Sequence, residues 1–439
     1  MRKKKLITIV LVLLMIATGL SAQNQVNTLT VDAETYALYE KKEWKKLIEV
    51  GKNSLEHGID FYYLQYRMGT AYYELKNYRN AVRFFEKVVK ETPDDKIALE
   101  YLYYSYLFSG MYEDARLFGR KLPDDMKEKL NLPEEGLLIN GAGAEFKYYI
   151  VDDYQAEAGE GDYLYQKSLR NLWYANINLT SYTKGKLTIF QGFSYLAGKN
   201  IVSDPSYSDT AFNENIKQFQ YYLSGNVLLS KATNLKIAVN YTNTGLTGIN
   251  PENSHGQGQS KYFYKDKLNG IAGFAKLKKS IAGFDIKVTA TLSYFDPNTG
   301  TQFLPGIGVR WYPFGNTGLY ANAEVSYIIA NKTPDYDPGF IFKSNVGIRL
   351  FKSMWIEPFM LYGKSRNFVD DDAFVTYNSI NTVNYWYGVN LNTLISKGKI
   401  ILYFNWQQYS LTNDYTLNTE KQSMGFLMST FLGGTKFRF

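Results

Sequence analysis

The feature that most constrains the fold is an alternation of apolar and polar side chains that begins after Gly136 and continues to Phe439. In the stretch 284–292, for example, apolar residues at the even positions alternate with an aspartate, a lysine and two threonines. A period of two is the period of a β-strand. About 300 residues are therefore built of strands with one apolar and one polar face. A soluble β-sandwich would bury the apolar face, but its strands are commonly shorter than these.

The connections between the strands indicate how they are arranged. Fourteen candidate strands, the first at 137–150 and the last at 421–439, are joined alternately by two kinds of link. Tight links fall at 184–186, 231–233, 281–283, 315–317, 352–353 and 396–398, and longer polar segments at 151–167, 197–215, 242–266, 368–383 and 412–420. Short turns on one side and long loops on the other are typical of transmembrane β-barrels. We predict an antiparallel barrel of about 14 strands over residues 137–439.

The final strand carries a recognisable ending. Phe431, Phe437 and Phe439 fall on one side of the extended chain, and Lys436 and Arg438 fall on the other. The spacing of Gly434, Phe437 and Phe439 resembles the C-terminal signature of Gram-negative outer-membrane barrels. The resemblance implies that these three residues form the barrel assembly signal. It also implies two partners, the barrel-assembly machinery and the lipid of the outer membrane.

The first 22 residues have the layout of a secretory signal peptide. Four basic residues at positions 2–5 precede an apolar run that ends at Leu20-Ser21-Ala22. A membrane anchor is the alternative, but the run is short for a spanning helix. Export makes nucleic acid an unsuitable partner for the basic excess beyond residue 135, where 28 Lys and Arg face 22 Asp and Glu. Without cysteine, and with only two histidines, the chain offers no disulfide or thiolate metal site. We expect no cofactor and no metal.

Between the signal peptide and the strands, residues 23–131 have helical periodicity. The stretch 62–95 carries Gly69, Ala81 and Pro93 among regularly spaced aromatic and apolar residues, and weaker matches lie 34 residues before and after it. This pattern resembles the tetratricopeptide repeat, so we predict a short α-solenoid of two to three repeats. A linker at 132–136 would join it to the barrel. The fold class is therefore α+β, multidomain.

The resemblance to tetratricopeptide repeats also suggests a binding surface. In that repeat geometry, the concave groove would be lined by Tyr63, Tyr66, Tyr73 and Tyr104. Tyrosine rings in a groove could stack on a glycan or hold an extended periplasmic protein segment. The alternative is that these tyrosines fill contacts between helices.

The polar faces of the strands predict what lines the barrel. Ten cations against four anions fall on the presumed inner face, which would favour anionic solutes. A packed lumen of mutually neutralised charges is the alternative. The lumen residues predicted from clear alternation are Lys236, Lys287, Arg310, Glu324, Lys343, Arg349, Glu357 and Arg438; the weaker set includes Lys147, Lys276 and Lys278.

Two loop features could suggest chemistry. Ser254 and His255 lie in one long loop, and the acidic triplet Asp370 to Asp372 lies in another. A single loop histidine is commonly just solvated, and the triplet lacks the ligand spacing of a Ca²⁺ loop. We therefore expect no catalytic site. We expect the triplet to be a solvated loop or a contact with cations that bridge lipids.

Domain order gives the overall interpretation. A signal peptide, periplasmic repeats and a barrel resemble the architecture of outer-membrane exopolysaccharide exporters. The resemblance implies an outer-membrane channel or export barrel for an anionic polysaccharide or another anionic solute, with the helices in the periplasm recruiting a partner. The alternative is a closed barrel that anchors a repeat scaffold used in envelope assembly.

Overall fold

The computed structural model describes residues 27–132, 139–183, 185–250, 261–295, 300–331, 339–366, 369–376 and 380–439. The predicted signal peptide lies outside the described residues, as does all but the first residue of the predicted linker 132–136. The chain divides into two compact units, Met1–Ser105 and Tyr106–Phe439. The sequence-based boundary at 131 marks the change of periodicity, whereas the packing unit of the barrel begins earlier and includes the last two helices.

The first unit is a set of helices of nearly equal length. They are α1 Thr28–Glu40, α2 Trp44–Glu56, α3 Tyr62–Glu74, α4 Tyr78–Glu91 and α5 Lys96–Phe108, whose end passes into the second unit. Helices α1, α3 and α5 start 34 residues apart. Their contacts form a small apolar core around Leu47, Leu64, Met68 and Phe85. Gly69 lies against the Phe85 ring, where a Cβ would stand only 3.1 Å from the ring, so a small residue permits close approach of α3 and α4.

The second unit contains the end of α5, two short helices and the strands. The helices are α6 Tyr112–Gly119 and α7 Asp124–Lys129. No helix within the described ranges is both long and apolar enough to cross a membrane.

The fourteen predicted strands are present. They are β1 Gly141–Val151, β2 Leu164–Tyr182, β3 Leu187–Ser203, β4 Phe212–Ser230, β5 Thr233–Ile249, β6 Tyr262–Ile281, β7 Phe284–Tyr294, β8 Thr301–Trp311, β9 Leu319–Tyr327 with its continuation Ile329–Ala330, β10 Phe340–Phe351, β11 Met354–Ser365, β12 Thr382–Ile395, β13 Ile400–Leu417 and β14 Glu420–Arg438.

Every strand pairs antiparallel with the strands before and after it in sequence. The ring closes where β1 pairs with β14, with Gly141 opposite Arg438 and Val151 opposite Met428. A closed barrel leaves no sheet edge with unpaired backbone groups, which is what a strand structure in lipid requires. The predicted barrel is confirmed as a closed 14-stranded antiparallel barrel.

The distribution of side chains is inverted relative to a soluble protein. On β5, Ile237 and Val239 are 55% and 46% exposed, while Asn240 and Thr242 are 0% and 1% exposed. Phe193 and Phe219 on neighbouring strands are exposed in the same way. An apolar exterior around a polar interior identifies a membrane-spanning barrel of the outer-membrane type.

The strands extend further than predicted at the end of the barrel that carries the long loops, called here the loop end. The segment 412–420, predicted as a loop, belongs almost entirely to β13 and β14, which are joined by a two-residue turn at Asn418 and Thr419 with positive φ. The segment is short and mostly polar, with Tyr415 and Leu417 as its apolar residues, so the sequence pattern there is close to that of a loop. The opposite end, with the tight links, is called the turn end.

Candidate functional site in the barrel lumen

A continuous row of inward-facing side chains crosses five neighbouring strands near the turn end. Tyr182, Thr188, Asn226, Lys236 and Lys276 are successive register partners on β2, β3, β4, β5 and β6. Directly opposite residues in a sheet have Cβ atoms about 5 Å apart, so the five side chains form one strip. We call it the wall row.

A segment of the long loop between β11 and β12 folds into the lumen. Its two-residue strands Val369–Asp370 and Val375–Thr376 pair around a turn at Asp371–Ala373. We call residues 369–376 the luminal hairpin. The Asp372 carboxylate forms ion pairs with Lys236, at 2.9 Å, and with Lys276 of the wall row. The Tyr222 hydroxyl donates a hydrogen bond of 3.0 Å to the Asp372 carbonyl.

Further contacts hold the two sides of the luminal hairpin. The Asp370 carboxylate lies 2.5 Å from the Lys343 ammonium of β10. The Asn240 amide donates to the Ala373 carbonyl at 2.8 Å. The Phe374 ring lies edge-on to Phe190 and Tyr222, with centroids 5.6 and 5.1 Å away. The luminal hairpin is therefore fixed by charge and by aromatic packing against opposite sectors of the wall.

The turn of the luminal hairpin is conformationally unfavourable. Asp371, Asp372 and Ala373 have φ values of 48°, 57° and 68°, three successive non-glycine residues in the left-handed region. Each such residue costs of order 1 kcal/mol or more. Burial raises the pKa of Asp372, but the Lys276 and Lys236 charges outweigh it and hold that pKa below its usual range. The carboxylate is ionised at neutral pH, and its ion pairs compensate for the strained turn.

The expectation of a solvated or lipid-bridging acidic triplet was wrong. Asp370 and Asp372 enter the lumen and neutralise lysines on three strands, while Asp371 stays exposed. A loop sequence carries no periodicity that shows whether the loop turns into the lumen or toward solvent. A lysine-rich inner face with few acids of its own was the available signal, since buried charges require partners.

Helix α6 lies at the turn end of the same wall. The Glu113 carboxylate accepts hydrogen bonds from Thr188 at 3.1 Å and from Asn226 at 3.2 Å, both in the wall row. Arg116 forms an ion pair with Glu113 at 3.0 Å and stacks over the Tyr182 ring, with its Cζ 5.0 Å from the centroid. Glu113 and Asp372 thus bind neighbouring positions of one strip, from opposite ends of the barrel.

Helix α6 is also attached to the backbone of the turns. The Asp114 carboxylate accepts a 3.0 Å hydrogen bond from the Ala232 amide, in the turn between β4 and β5. Arg120 donates to the Thr183 carbonyl at 3.2 Å and the Gly185 carbonyl at 3.1 Å. The Thr317 amide donates to the Phe108 carbonyl at the end of α5. These contacts fix α6 to two turns and the end of α5 to a third.

The loop end of the lumen contains an apolar cluster. Tyr154, from the loop between β1 and β2, stacks on Phe426 with centroids 3.7 Å apart. Burial raises the pKa of Tyr154 to about 12. Around the pair pack Trp386, Tyr409 and Leu361 from three other strands. This sector is filled by buried side chains, which sequence alternation could not show because they occupy the inward face where polar residues were expected.

The eight predicted lumen residues occupy inward strand positions. Lys236 and Lys343 bind the luminal hairpin, and Lys287 forms an ion pair with Glu324 at 2.5 Å. Of the remaining four, Arg310 stacks over the ring of Tyr320, and Glu357 accepts a 3.1 Å hydrogen bond from the Tyr320 hydroxyl. Arg349 stacks over Trp355. Arg438 is exposed at the turn end. Of the weaker set, Lys276 is in the wall row and Lys147 is buried beside Tyr409.

The predicted groove tyrosines differ in their surroundings. Tyr63 is exposed and stacks with Arg67, whose Cζ is 5.5 Å from the ring centroid. Tyr66 packs edge-on against Phe85, and Tyr73 against Tyr101. Tyr104 packs against its neighbour Tyr103. Tyr66 and Tyr73 are half-buried, so part of each ring fills helix contacts.

The residues of the predicted assembly signal lie on β14 and at its end. Phe437 and Phe439 are exposed. A Cβ on Gly434 would overlap the ring of Tyr403, whose hydroxyl donates to Glu145 at 2.8 Å. A glycine is therefore required at position 434 for packing, because an aromatic ring from β13 approaches its backbone closely.

Among known proteins, only solved structures are found to be similar to this chain. No protein-family model matches the chain, and no curated protein matches it. Similar solved structures include the toluene transporter TodX of P. putida, at 8% identity and a TM-score of 0.47, covering 71% of this chain and 92% of that one. A FadL homologue of Pseudomonas aeruginosa has 9% identity and a TM-score of 0.43, with 69% and 90% covered. The outer membrane protein Omp33 of Acinetobacter baumannii has 11% identity and a TM-score of 0.32, with 69% and 99% covered.

Proposed function

We propose that the chain is an outer-membrane channel for anionic solutes, with the luminal hairpin occupying its pathway in the conformation described. The single observation that carries the proposal is the placement of one loop carboxylate between two wall lysines, Lys236 and Lys276. The wall itself binds an anionic group there, and the group comes from a loop and not from a neighbouring strand. An anionic polysaccharide remains one solute of this class.

The proposal includes an orientation. The exported chain would lie in the outer membrane of a Gram-negative bacterium, with the turn end and the N-terminal helices on the periplasmic side. Short turns toward the periplasm and long loops toward the exterior are the usual arrangement of such barrels. The proposed activity is transport without catalysis. Ser254 and His255, which prompted the catalytic alternative, lie outside the described residues.

Reconstitution tests the proposal. The full chain in planar bilayers should conduct, and Asp372→Asn should raise the conducting fraction because one carboxylate no longer pairs with Lys236 and Lys276. Reversal potentials in a salt gradient should show preference for the anion, because two freed lysines line the pathway. Absence of current in the wild type and in Asp372→Asn alike would contradict a channel.

A second function has its own supporting observation. Helix α6, the luminal hairpin and the Tyr154 cluster all occupy the lumen, which suits a closed barrel that anchors a helical scaffold in envelope assembly. Under this alternative, the helices tethered to an unrelated barrel would still retain their envelope partner. Under the channel proposal, that hybrid would lose solute flux.

For the helices we propose tetratricopeptide-like repeats that recruit a periplasmic protein or glycan. The 34-residue spacing of α1, α3 and α5 supports repeats, and the exposed Tyr63 beside Arg67 supports a contact surface. Tyr63→Ala should weaken capture of the partner without changing the helical content of the chain. Capture at the wild-type level would remove Tyr63 from the proposed groove.

A further inference from the structure

We infer that the wall row is a binding site for a carboxylate carried on a ring, and that the luminal hairpin is the internal competitor which such a ligand displaces. The inference rests on the proposed channel, because it names the solute class that the pathway binds. It is supported by the charged and aromatic groups of the wall that hold the luminal hairpin.

The charged half of the site is defined by Asp372. Its carboxylate contacts Lys236 and Lys276, whose side chains are only 23% and 22% exposed. Beside them in the same row, Asn226 and Thr188 present donors to the carboxylate of Glu113. The strip thus holds two carboxylates side by side. Buried lysines with a partner removed would be costly, so a departing Asp372 must be replaced by another anion.

The ring-binding half of the site is defined by Phe374. Phe374 follows Asp372 by two residues. Its ring lies edge-on to Phe190 and Tyr222 and contacts the small Gly192. The Phe190 and Tyr222 rings also contact each other, with centroids 5.8 Å apart. Withdrawal of the luminal hairpin would therefore open the space that the Phe374 ring fills beside this aromatic pair, near the two lysines. A uronic acid sugar or an aromatic carboxylate carries both required groups, an anion and a ring.

The competitor is suited to displacement. Three successive left-handed non-glycine residues form its turn, so the hairpin returns to a relaxed backbone when it leaves. Its ion pairs are made by side chains, which a soluble carboxylate can reproduce. The neighbouring carboxylate, Glu113, is neutralised by Arg116 and so adds little repulsion to the site.

Calorimetric titration of the full chain in detergent tests the inference. The probes are a triguluronate and phenylacetate, with the neutral maltotriose and phenylacetamide as matched controls. Asp372→Asn should bind the acidic probe about tenfold more tightly than the wild type, if the hairpin occupies the site in about nine of ten molecules. Asp371→Asn, the same change at the exposed neighbouring acid, should bind as the wild type does.

The double variant Lys236→Gln/Lys276→Gln should lose at least tenfold in affinity while keeping the heat-modifiable gel shift of a folded barrel. Tighter binding of triguluronate than of phenylacetate identifies a sugar acid, and the reverse identifies an aromatic acid. Equal affinities of Asp372→Asn and wild type, or binding of the neutral probes, would overturn the inference. Binding of the acidic probe without current would support the binding site and contradict the channel. Current without binding would support the channel and contradict the binding site.

Discussion

The luminal hairpin and helix α6, two of the structures in the lumen, are held by different kinds of contact. The luminal hairpin is fixed by ion pairs from Asp370 and Asp372 to wall lysines, by wall side chains that donate to its own carbonyls, and by packing of Phe374. Helix α6 is fixed to backbone groups of the turns, through Asp114 and Arg120, in addition to its side-chain contacts. A dissolved anion can replace the first kind of contact. It cannot replace a hydrogen bond to the backbone of a turn that is part of the barrel.

The backbone conformations of the luminal hairpin and α6 also differ, and the strained one belongs to the luminal hairpin. The luminal hairpin turns through three consecutive left-handed residues, whereas α6 is an ordinary helix with Glu113 and Asp114 in its first turn. Acidic residues there are stabilised by the helix dipole. We infer that the luminal hairpin can be displaced from the lumen, whereas α6 remains attached to the barrel.

The largest effect should come from Asp372→Lys. A third cation beside Lys236 and Lys276 removes the ion pairs and adds repulsion, a loss of about 3 kcal/mol or more. Flux of a small anion into liposomes should rise about tenfold, the limit set by a hairpin that already leaves the pathway in about one of ten wild-type molecules. The matched control is Asp371→Lys, which places the same charge at the exposed neighbour and should change flux little. Unchanged flux in Asp372→Lys would mean that the luminal hairpin does not obstruct the pathway.

A smaller effect, on stability and not on flux, should follow from Asp114→Ala. The buried Ala232 amide loses its acceptor, which costs about 1–3 kcal/mol. The temperature at which the barrel loses its gel shift should fall, while liposome flux stays at the wild-type level. Glu128→Ala, at an exposed site on α7, is the control. Flux as high as that of Asp372→Lys would show that α6, too, is a movable closure.

The smallest effect should come from Gly192→Ala. The added methyl group would lie 3.0 Å from the Phe374 ring, so the ring must shift by a few tenths of an ångström. Overpacking of this kind costs about 1 kcal/mol, which predicts a severalfold rise in flux. Gly425→Ala, whose methyl group meets nothing nearer than 3.9 Å, should behave as wild type. A rise in both variants would point to a general loosening of the barrel.

The sequence was sufficient for the barrel and insufficient for its interior. Alternation at residues such as Ile237 and Asn240 locates strands because lipid and lumen impose opposite polarity on adjacent positions. The same rule gave inward positions for Lys236 and Lys343. It failed for the 412–420 hairpin, where polar residues predominate and the buried Asn413 bonds Gln166 and Asn381 on the inward face.

The contents of the lumen depend on contacts between residues far apart in sequence. Asp372 meets Lys236 across 136 positions, and Asp114 meets Ala232 across 118. No local period encodes such a pairing. In the weaker repeat match that follows the stretch 62–95, Tyr112 and Ala115 lie 34 residues after Tyr78 and Ala81. That pattern gave no indication that Glu113, between them, would bind the barrel wall.

Cross-linking can hold either the luminal hairpin or α6 in place and so show which of the two must move for anions to pass. Because the chain has no cysteine, two introduced pairs can each be joined without side products. Asn240→Cys/Ala373→Cys ties the luminal hairpin to β5, and Asp114→Cys/Ala232→Cys ties α6 to its turn. With a short, reducible thiol cross-linker, the first pair should abolish anion conductance until a reductant is added, and the second pair should leave conductance unchanged. Conductance that survives the first cross-link and disappears with the second would contradict a displaceable hairpin beside a fixed α6.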